Sequence, residues 1–217
     1  MPSRDPWVVG RGPTLRMRAS KHVARYDVGM SDAVTIRQAT IADVPGIGKL
    51  INGFAERGVM LFRSHAELYE TLRDFVVAES GGAVVGACAL EIVWADLAEV
   101  RSLAVDVACQ GKGVGSRLVT AVEAEAKRLG IQRIFALTYE QRFFERLGFK
   151  VVDKSALPLK VWSGCVKCPK RDGCDEIAVV KTVLERPAVR EEDPNQHVEL
   201  RYEVPTPLVQ IHVKPQE

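Results

Sequence analysis

The chain has 217 residues, 47% of them apolar and 27% charged, and its 30 Lys and Arg stand against 28 Asp and Glu for a formal net charge of +2. That length fits one domain with appendages, and that charge balance points to no polyanionic partner such as nucleic acid. No apolar run approaches the ~18 residues of a membrane span, and the basic N-terminal stretch (Arg4, Arg11, Arg16, Arg18, Lys21, Arg25) lacks the apolar core of a secretory signal.

In chain order, residues 1–32 mix Pro, Gly and basic residues without periodicity, and a flexible leader is expected there. Val34–Arg37 is a short β-type run, after which Thr40–Asp43 opens a helix with a capping-box pattern. Ile41, Val44, Ile47, Leu50, Ile51 and Phe54 form its apolar face and Gly58 its expected C-terminal stop. A second box, Ser64 to Glu67, starts a shorter helix. Phe75–Ala78 and Ala83–Leu90 flank Ser80-Gly81-Gly82, a hairpin signal, and the second strand runs on to a turn at Trp94–Asp96 that leads into Leu97–Val105. A helix from Val114 to Leu129 ends at Gly130. Ile134–Thr138 is the next strand, expected to pair in parallel with Leu97–Val105 because a helix crosses between them. A short helix over Gln141–Leu147, a strand at Phe149–Val152 and a last strand at Glu176–Leu184 complete a domain over residues 33–184. Residues 185–217 read as a tail in which Leu208–Val213 could pair with a sheet edge.

Between the strand ending at Val105 and the following helix lies Gln110-Gly111-Lys112-Gly113-Val114-Gly115. Glycines at such a junction let backbone N–H groups converge, and the helix start adds partial positive charge, so the loop suits a phosphate. It is not a Walker loop, since Lys112 is followed by Gly113 rather than Ser or Thr. It is not a dinucleotide fingerprint either, because Ser116 or Leu118 stands where the third glycine belongs.

What fits is Gln110-x-x-Gly113-x-Gly115, which, with the element order around it, resembles the pyrophosphate loop of the GNAT family of acetyl-CoA-dependent N-acetyltransferases. Phe62-Arg63-Ser64, Leu97–Val105, Leu137-Thr138-Tyr139 and Phe143–Phe149 narrow the resemblance to the acetyltransferase domain of N-acetylglutamate synthases, in the short bacterial form without an amino-acid-kinase domain. The resemblance implies an α/β (α+β) GNAT fold, with a mostly antiparallel central sheet splayed between its fourth and fifth strands. It also implies acetyl-CoA as co-substrate, L-glutamate as acceptor, a place in arginine biosynthesis, and no feedback by arginine through a kinase domain. By the same resemblance Leu103, Ala104 and Val105 hold the pantetheine arm. Gln110, Gly111, Lys112, Gly113, Val114, Gly115 and Ser116 take the pyrophosphate, with Lys112 or Arg117 for the outer phosphates, and Phe144 completes the acetyl-CoA site. Where many members carry a tyrosine as the acid for the leaving thiolate, this chain has Phe144, which leaves Tyr139 or water.

An amine must lose a proton before it attacks a thioester, and Glu99, on the strand beside the expected acetyl-CoA site, is the candidate base. A free Glu, with a pKa of about 4.3, is a poor base at neutral pH, so the role requires burial or relay through water. The alternative is a structural carboxylate paired with Arg101, two residues on and on the same face. Glutamate brings two carboxylates, for which Arg63, with Arg101 or Lys160, is the candidate cation set.

Five cysteines, an odd number, fit a reducing compartment, and a cytoplasmic location is expected. Cys165-x-x-Cys168 and Cys174 supply three thiolates but no fourth ligand, since His22, His65, His197 and His212 are distant in sequence. A reduced or redox-active thiol group is the expectation there, with zinc or an iron–sulfur cluster as the open alternative, and no metal is assigned. Cys88 and Cys109 are expected to pack. Three functions stay open: the glutamate acetyltransferase, an acetyltransferase for another small amine or a protein N-terminus, and a non-catalytic acyl-CoA sensor. Expected partners are a small amino acid and, as an open option, a second copy of the chain; neither nucleic acid nor membrane is expected.

Overall fold

The computed structural model describes residues 34–158 and 173–188. The leader, most of the C-terminal tail with Leu208–Val213, and Lys160, Cys165 and Cys168 lie outside the described residues. Among the described residues no helix is long and apolar enough to cross a membrane.

The elements are β1 (Thr35–Gln38), α1 (Val44–Ala55), α2 (His65–Glu70), β2 (Phe75–Ser80), β3 (Ala83–Trp94), β4 (Leu97–Val105), α3 (Val114–Leu129), β5 (Arg133–Thr138), α4 (Gln141–Arg146), β6 (Lys150–Val152) and β7 (Ile177–Thr182). They build a seven-stranded mixed sheet in the order β1-β2-β3-β4-β5-β7-β6. Every neighbouring pair is antiparallel except β4 and β5, which run parallel through the α3 crossover.

The turns follow from local chemistry. Gly81 and Gly82, at φ 57° and 76°, close β2 onto β3 with the left-handed backbone that a two-residue hairpin needs. Ser64 accepts from the Glu67 N–H while the Glu67 carboxylate accepts from the Ser64 N–H, so the expected capping box starts α2. At the other box, Asp43 accepts from the Thr40 N–H at 2.7 Å and from both terminal nitrogens of Arg37 at 2.7 and 2.8 Å. These bonds hold its buried carboxyl well below the usual carboxylate range. The helix there begins with one 3-10 turn, Ile41–Asp43, and becomes α-helical at Val44, where Pro45 suits the first turn. Two other boundaries move inward from their expected places. β6 starts at Lys150 because Phe149 donates its N–H back to the Phe144 carbonyl at 3.1 Å, closing α4, and β7 starts at Ile177, which leaves Glu176 just ahead of the strand.

The sheet separates two cores. On one face Val114, Leu118, Val119, Val122 and Ala126 of α3 cover Val76, Cys88, Ala98, Val100, Ile134 and Ala136, so Cys88 packs as expected. On the other, Val44, Ile47 and Ile51 of α1 and Leu68 of α2 cover Phe75, Val77, Ala87 and Ala89, while Leu97, Phe135 and Ala178 form a smaller cluster around Leu157.

Two irregularities open the middle of the sheet. β4 and β5 pair only over Leu97–Glu99 and Arg133–Phe135, after which they diverge. Ser102, at φ 54°, is the non-glycine residue with positive φ among those described, and it sits in a bulge where β4 spends three steps, Arg101 to Ala104, against two on β3, Ala89 to Ala87.

Candidate active site

A cleft of about 1910 Å³ opens where β4 and β5 diverge. Its walls are the second half of β4, the glycine loop and start of α3, the end of β5, the stretch between α1 and α2, and residues 173–176 ahead of β7. Beyond Glu99 the edge of β4 toward β5 has no strand partner among the described residues. That edge can accept an extended ligand as a further strand, and Leu103, Ala104 and Val105 lie along it.

The approach to the glycine loop is tied to β3 and to the end of β4. Asp106 donates its N–H to the Val85 carbonyl at 2.8 Å, and its carboxylate accepts from the Ala108 N–H at 2.8 Å, which turns the chain off the sheet. Gln110 Nε2 then donates to the Val105 carbonyl at 3.0 Å. Gly111 and Gly113 have φ of 71° and 79°, and Gly113 is the N-cap of α3. The first-turn amides of a sixteen-residue helix therefore point out of its N-terminus at the cleft, where partial positive charge suits an anion. Gln110, Gly111, Gly113, Val114, Gly115 and Ser116 all line the cleft. Lys112 is exposed and off that wall, and Arg117 is turned away, its NH2 donating to the Val34 carbonyl at 2.8 Å beside β1. Arg117 is thus engaged elsewhere, a correction to its expected availability for phosphates.

At the other end stand the charged groups. Glu99 is partly buried and faces the α1 side of the sheet, and its carboxylate accepts no hydrogen bond among the described residues. Burial first, and the neighbouring Glu176 carboxylate second, push its pKa up to about 7 against the opposing pull of Arg63. The alternative pairing of Glu99 with Arg101 does not form: Arg101 is ion-paired with Glu91 on β3, because Glu91 is the register partner of Glu99 and reaches sideways to the next cation along β4. Arg63 lies in the extended stretch before α2. Its NH2 donates to Thr71 Oγ1 at 2.9 Å, it makes no ion pair among the described residues, and its Nε is buried without a partner. A guanidinium so placed on a cleft wall is suited to a carboxylate.

Tyr139, 39% exposed, lines the cleft just past β5. Phe144 reaches the wall from within the core: it is 4% exposed, with ring centroids 5.1 Å from both Phe143 and Phe149 in edge-on contacts. Phe143, which sequence reasoning passed over, is the more open ring, and it lies 3.4 Å from where a side chain on Gly115 would start. Glu176 and Ser102 were also missed. Glu176 is remote in sequence and ends ahead of a strand, while serine at Ser102 carries no signal for left-handed backbone. Cys174 lines the cleft next to Lys154, whose Nζ donates to its carbonyl at 2.9 Å and lies 3.5 Å from its Sγ. Cys109 is partly buried against the α3 core, the packing role expected of it.

Comparison with known proteins matches residues 53–149 to the Acetyltransferase (GNAT) family. An uncharacterized N-acetyltransferase of Chlorobaculum tepidum is 43% identical over 148 residues, 68% of this chain and 96% of that protein. An amino-acid acetyltransferase of Mycobacterium tuberculosis is 38% identical over 130 residues, 58% of this chain and 74% of that one. Among solved structures, N-acetylglutamate synthase from Neisseria gonorrhoeae, complexed with coenzyme A and N-acetyl-glutamate, superposes with a TM-score of 0.64 at 30% identity. The match covers 70% of this chain and 35% of that larger one.

Proposed function

The chain belongs to the GNAT acetyltransferase family, and from that premise we propose that it transfers the acetyl group of acetyl-CoA to the α-amino group of an amino acid, L-glutamate, in the service of arginine biosynthesis. The observation that carries this reading is the pairing, on one cleft, of a desolvated carboxylate at Glu99 with a guanidinium at Arg63 that has no ion-pair partner among the described residues. An α-amino acid offers the complementary groups, an amine to be deprotonated and a carboxylate to be gripped.

The co-substrate fits the residues present. The edge of β4 beyond Glu99 suits the amide-rich pantetheine arm, and the amides of Gln110, Gly111 and Gly113–Ser116 suit a pyrophosphate. Acetyl-CoA supplies the activated acetyl thioester. Glu99, with a pKa near the working pH, takes the proton of the acceptor amine directly or through a water. Arg63 holds one carboxylate of the acceptor, and Arg101, kept in place by Glu91, stands as the second cation. Tyr139, on the cleft wall, or water protonates the thiolate, since Phe144 has no hydroxyl.

A second reading, another small amine as acceptor, draws on the carboxylates of Glu91, Glu99, Glu140 and Glu176 along the same cleft, which favour a cation. An acetyl-transfer assay that reads free thiol over a panel of amino acids, polyamines and peptides separates the readings. Saturable turnover with L-glutamate and none with polyamines or peptides is the expected result. Turnover confined to polyamines selects the second reading, and coenzyme A binding without turnover selects a sensor.

A further inference from the structure

Arg63 belongs to no helix or strand, yet the acceptor reading asks it to hold a carboxylate at a fixed place. A guanidinium on a free loop loses backbone and rotamer freedom on gripping its ligand, and that loss is subtracted from affinity. Here the loop is fixed beforehand. Asn52, in the last turn of α1, donates from Nδ2 to the Arg63 carbonyl at 2.9 Å and accepts at Oδ1 from the Arg63 N–H at 2.9 Å. Its carboxamide satisfies both main-chain groups of residue 63, as a neighbouring strand would. The guanidinium is steadied separately, because Thr71 Oγ1, which accepts from Arg63 NH2, donates in turn to the Glu67 carbonyl at 2.7 Å. Asn52 itself stands behind the wall and does not line the cleft, whereas Arg63 and Thr71 do.

Asparagine is a weak helix former, because its side chain competes for backbone groups. At position 52 it makes that competition useful, since the main chain it captures belongs to the loop rather than to its own helix. Met60 packs against the α1 core, but Leu61 and Phe62, the two residues before Arg63, are exposed, so apolar packing anchors the segment no nearer to Arg63 than Met60. With no regular structure of its own, this stretch takes its register against α1 from the Asn52 carboxamide.

We propose that Asn52 is a positioning residue for acceptor recognition, whose paired hydrogen bonds to the main chain of Arg63 fix the guanidinium at the cleft before the acceptor arrives. The proposal rests on the reading of Arg63 as an acceptor-carboxylate ligand. It predicts a selective defect: Asn52→Ala leaves the acetyl-CoA end untouched and lets Arg63 wander.

The test is steady-state kinetics on the full chain with the amino acid that turns over fastest in the panel, comparing Asn52→Ala, Asn52→Asp, Arg63→Ala and the double variant Asn52→Ala/Arg63→Ala. Asn52→Ala should raise the acceptor KM about tenfold, the effect of losing one to two neutral hydrogen bonds, while the acetyl-CoA KM changes less than twofold. Asn52→Asp keeps the acceptor for the Arg63 N–H and loses the donor to its carbonyl, so it should fall between the parent and Asn52→Ala, and it stands in for Asn52→Ala should that variant fail to fold. The double variant should be no worse than Arg63→Ala alone, since Asn52 acts only through Arg63. If Arg63→Ala raises the acceptor KM and the Asn52 variants do not, or raise both KM values alike, the positioning role falls while the acceptor reading stands. If Arg63→Ala leaves the acceptor KM unchanged, or no amino acid turns over, the acceptor reading falls and the proposal falls with it.

Discussion

Glu99 carries opposite demands, and they can be measured on one variant. With its pKa pushed from 4.5 up to about 7 in the folded chain, the native state holds a proton that the unfolded chain has released across that pH window. Stability therefore declines as pH rises from 4.5 to 7, and the charged form remains desolvated above it. Glu99→Gln should melt higher than the parent at pH 8, by the equivalent of about 1–3 kcal/mol, and level with it near pH 4.5. The same variant should lose at least 100-fold in kcat, the usual contribution of a general base; near-normal turnover across the pH range would remove Glu99 from the chemistry. In the parent, kcat/KM should rise with pH through an acid limb near 7. Glu176→Gln should move that limb to lower pH by removing a like charge, whereas Arg63→Ala should move it higher. That Glu99 needs burial to serve as a base was legible in sequence. The second cause of its shift, Glu176, was not, because Glu99 on β4 and Glu176, just ahead of β7, are distant in the chain and meet only through the sheet order β4-β5-β7.

Elements were legible wherever local chemistry decides them. Ser64 to Glu67, Gly81-Gly82 and Gly130 each fix an element end by side-chain capping or left-handed backbone, and the structure has them where sequence put them. Boundaries set by contacts between elements moved, as at Phe149, whose N–H is taken by the Phe144 carbonyl of α4. The seating of α3 shows how an element transmits to the site. A Cβ at Gly86 would meet Leu118 Cδ1 at 2.9 Å, Ala78 Cβ at 3.2 Å and Val114 Cγ1 at 3.3 Å. Leu118 can rotate, but Ala78 is fixed in β2 and Val114 opens α3, so Gly86→Val should cost about 1–3 kcal/mol and lift the helix start from the sheet. Because the glycine loop travels with that end, the acetyl-CoA KM should rise several-fold more than the acceptor KM. Equal KM changes, with the melting temperature lowered, would mean that the loop is positioned by Gln110 and Asp106 rather than by α3.

At the scale of the whole molecule, the parallel step between β4 and β5 was legible from the helix between them. The opening that follows came only from family resemblance, because nothing in Leu97–Val105 itself says where pairing with β5 will stop. The bulge at Ser102 was invisible, and it does more than free a strand edge. Before it, Ala98 and Val100 pack toward α3 and Leu97 toward the opposite face; after it, Leu103 and Val105 pack toward α3 and Ala104 toward the α1 side. Odd and even have changed places. A strand alternates like a two-stroke cycle, and one surplus residue resets its phase, so that Glu99 and Ala104, of opposite parity, share one face. The two halves of β4 therefore read in different frames, and the site depends on the offset between them. Deleting Ser102 should produce a protein whose strands are all present by circular dichroism but whose halves of β4 are in one phase. In it Glu99 or the segment Leu103–Val105 must point away from its partners, and acetyl transfer should be lost without any functional side chain having been removed. Ser102→Gly, which keeps the count and eases the left-handed backbone, should retain activity. The spacing between Glu99 and the glycine loop is thus held by a count of residues as much as by their identity.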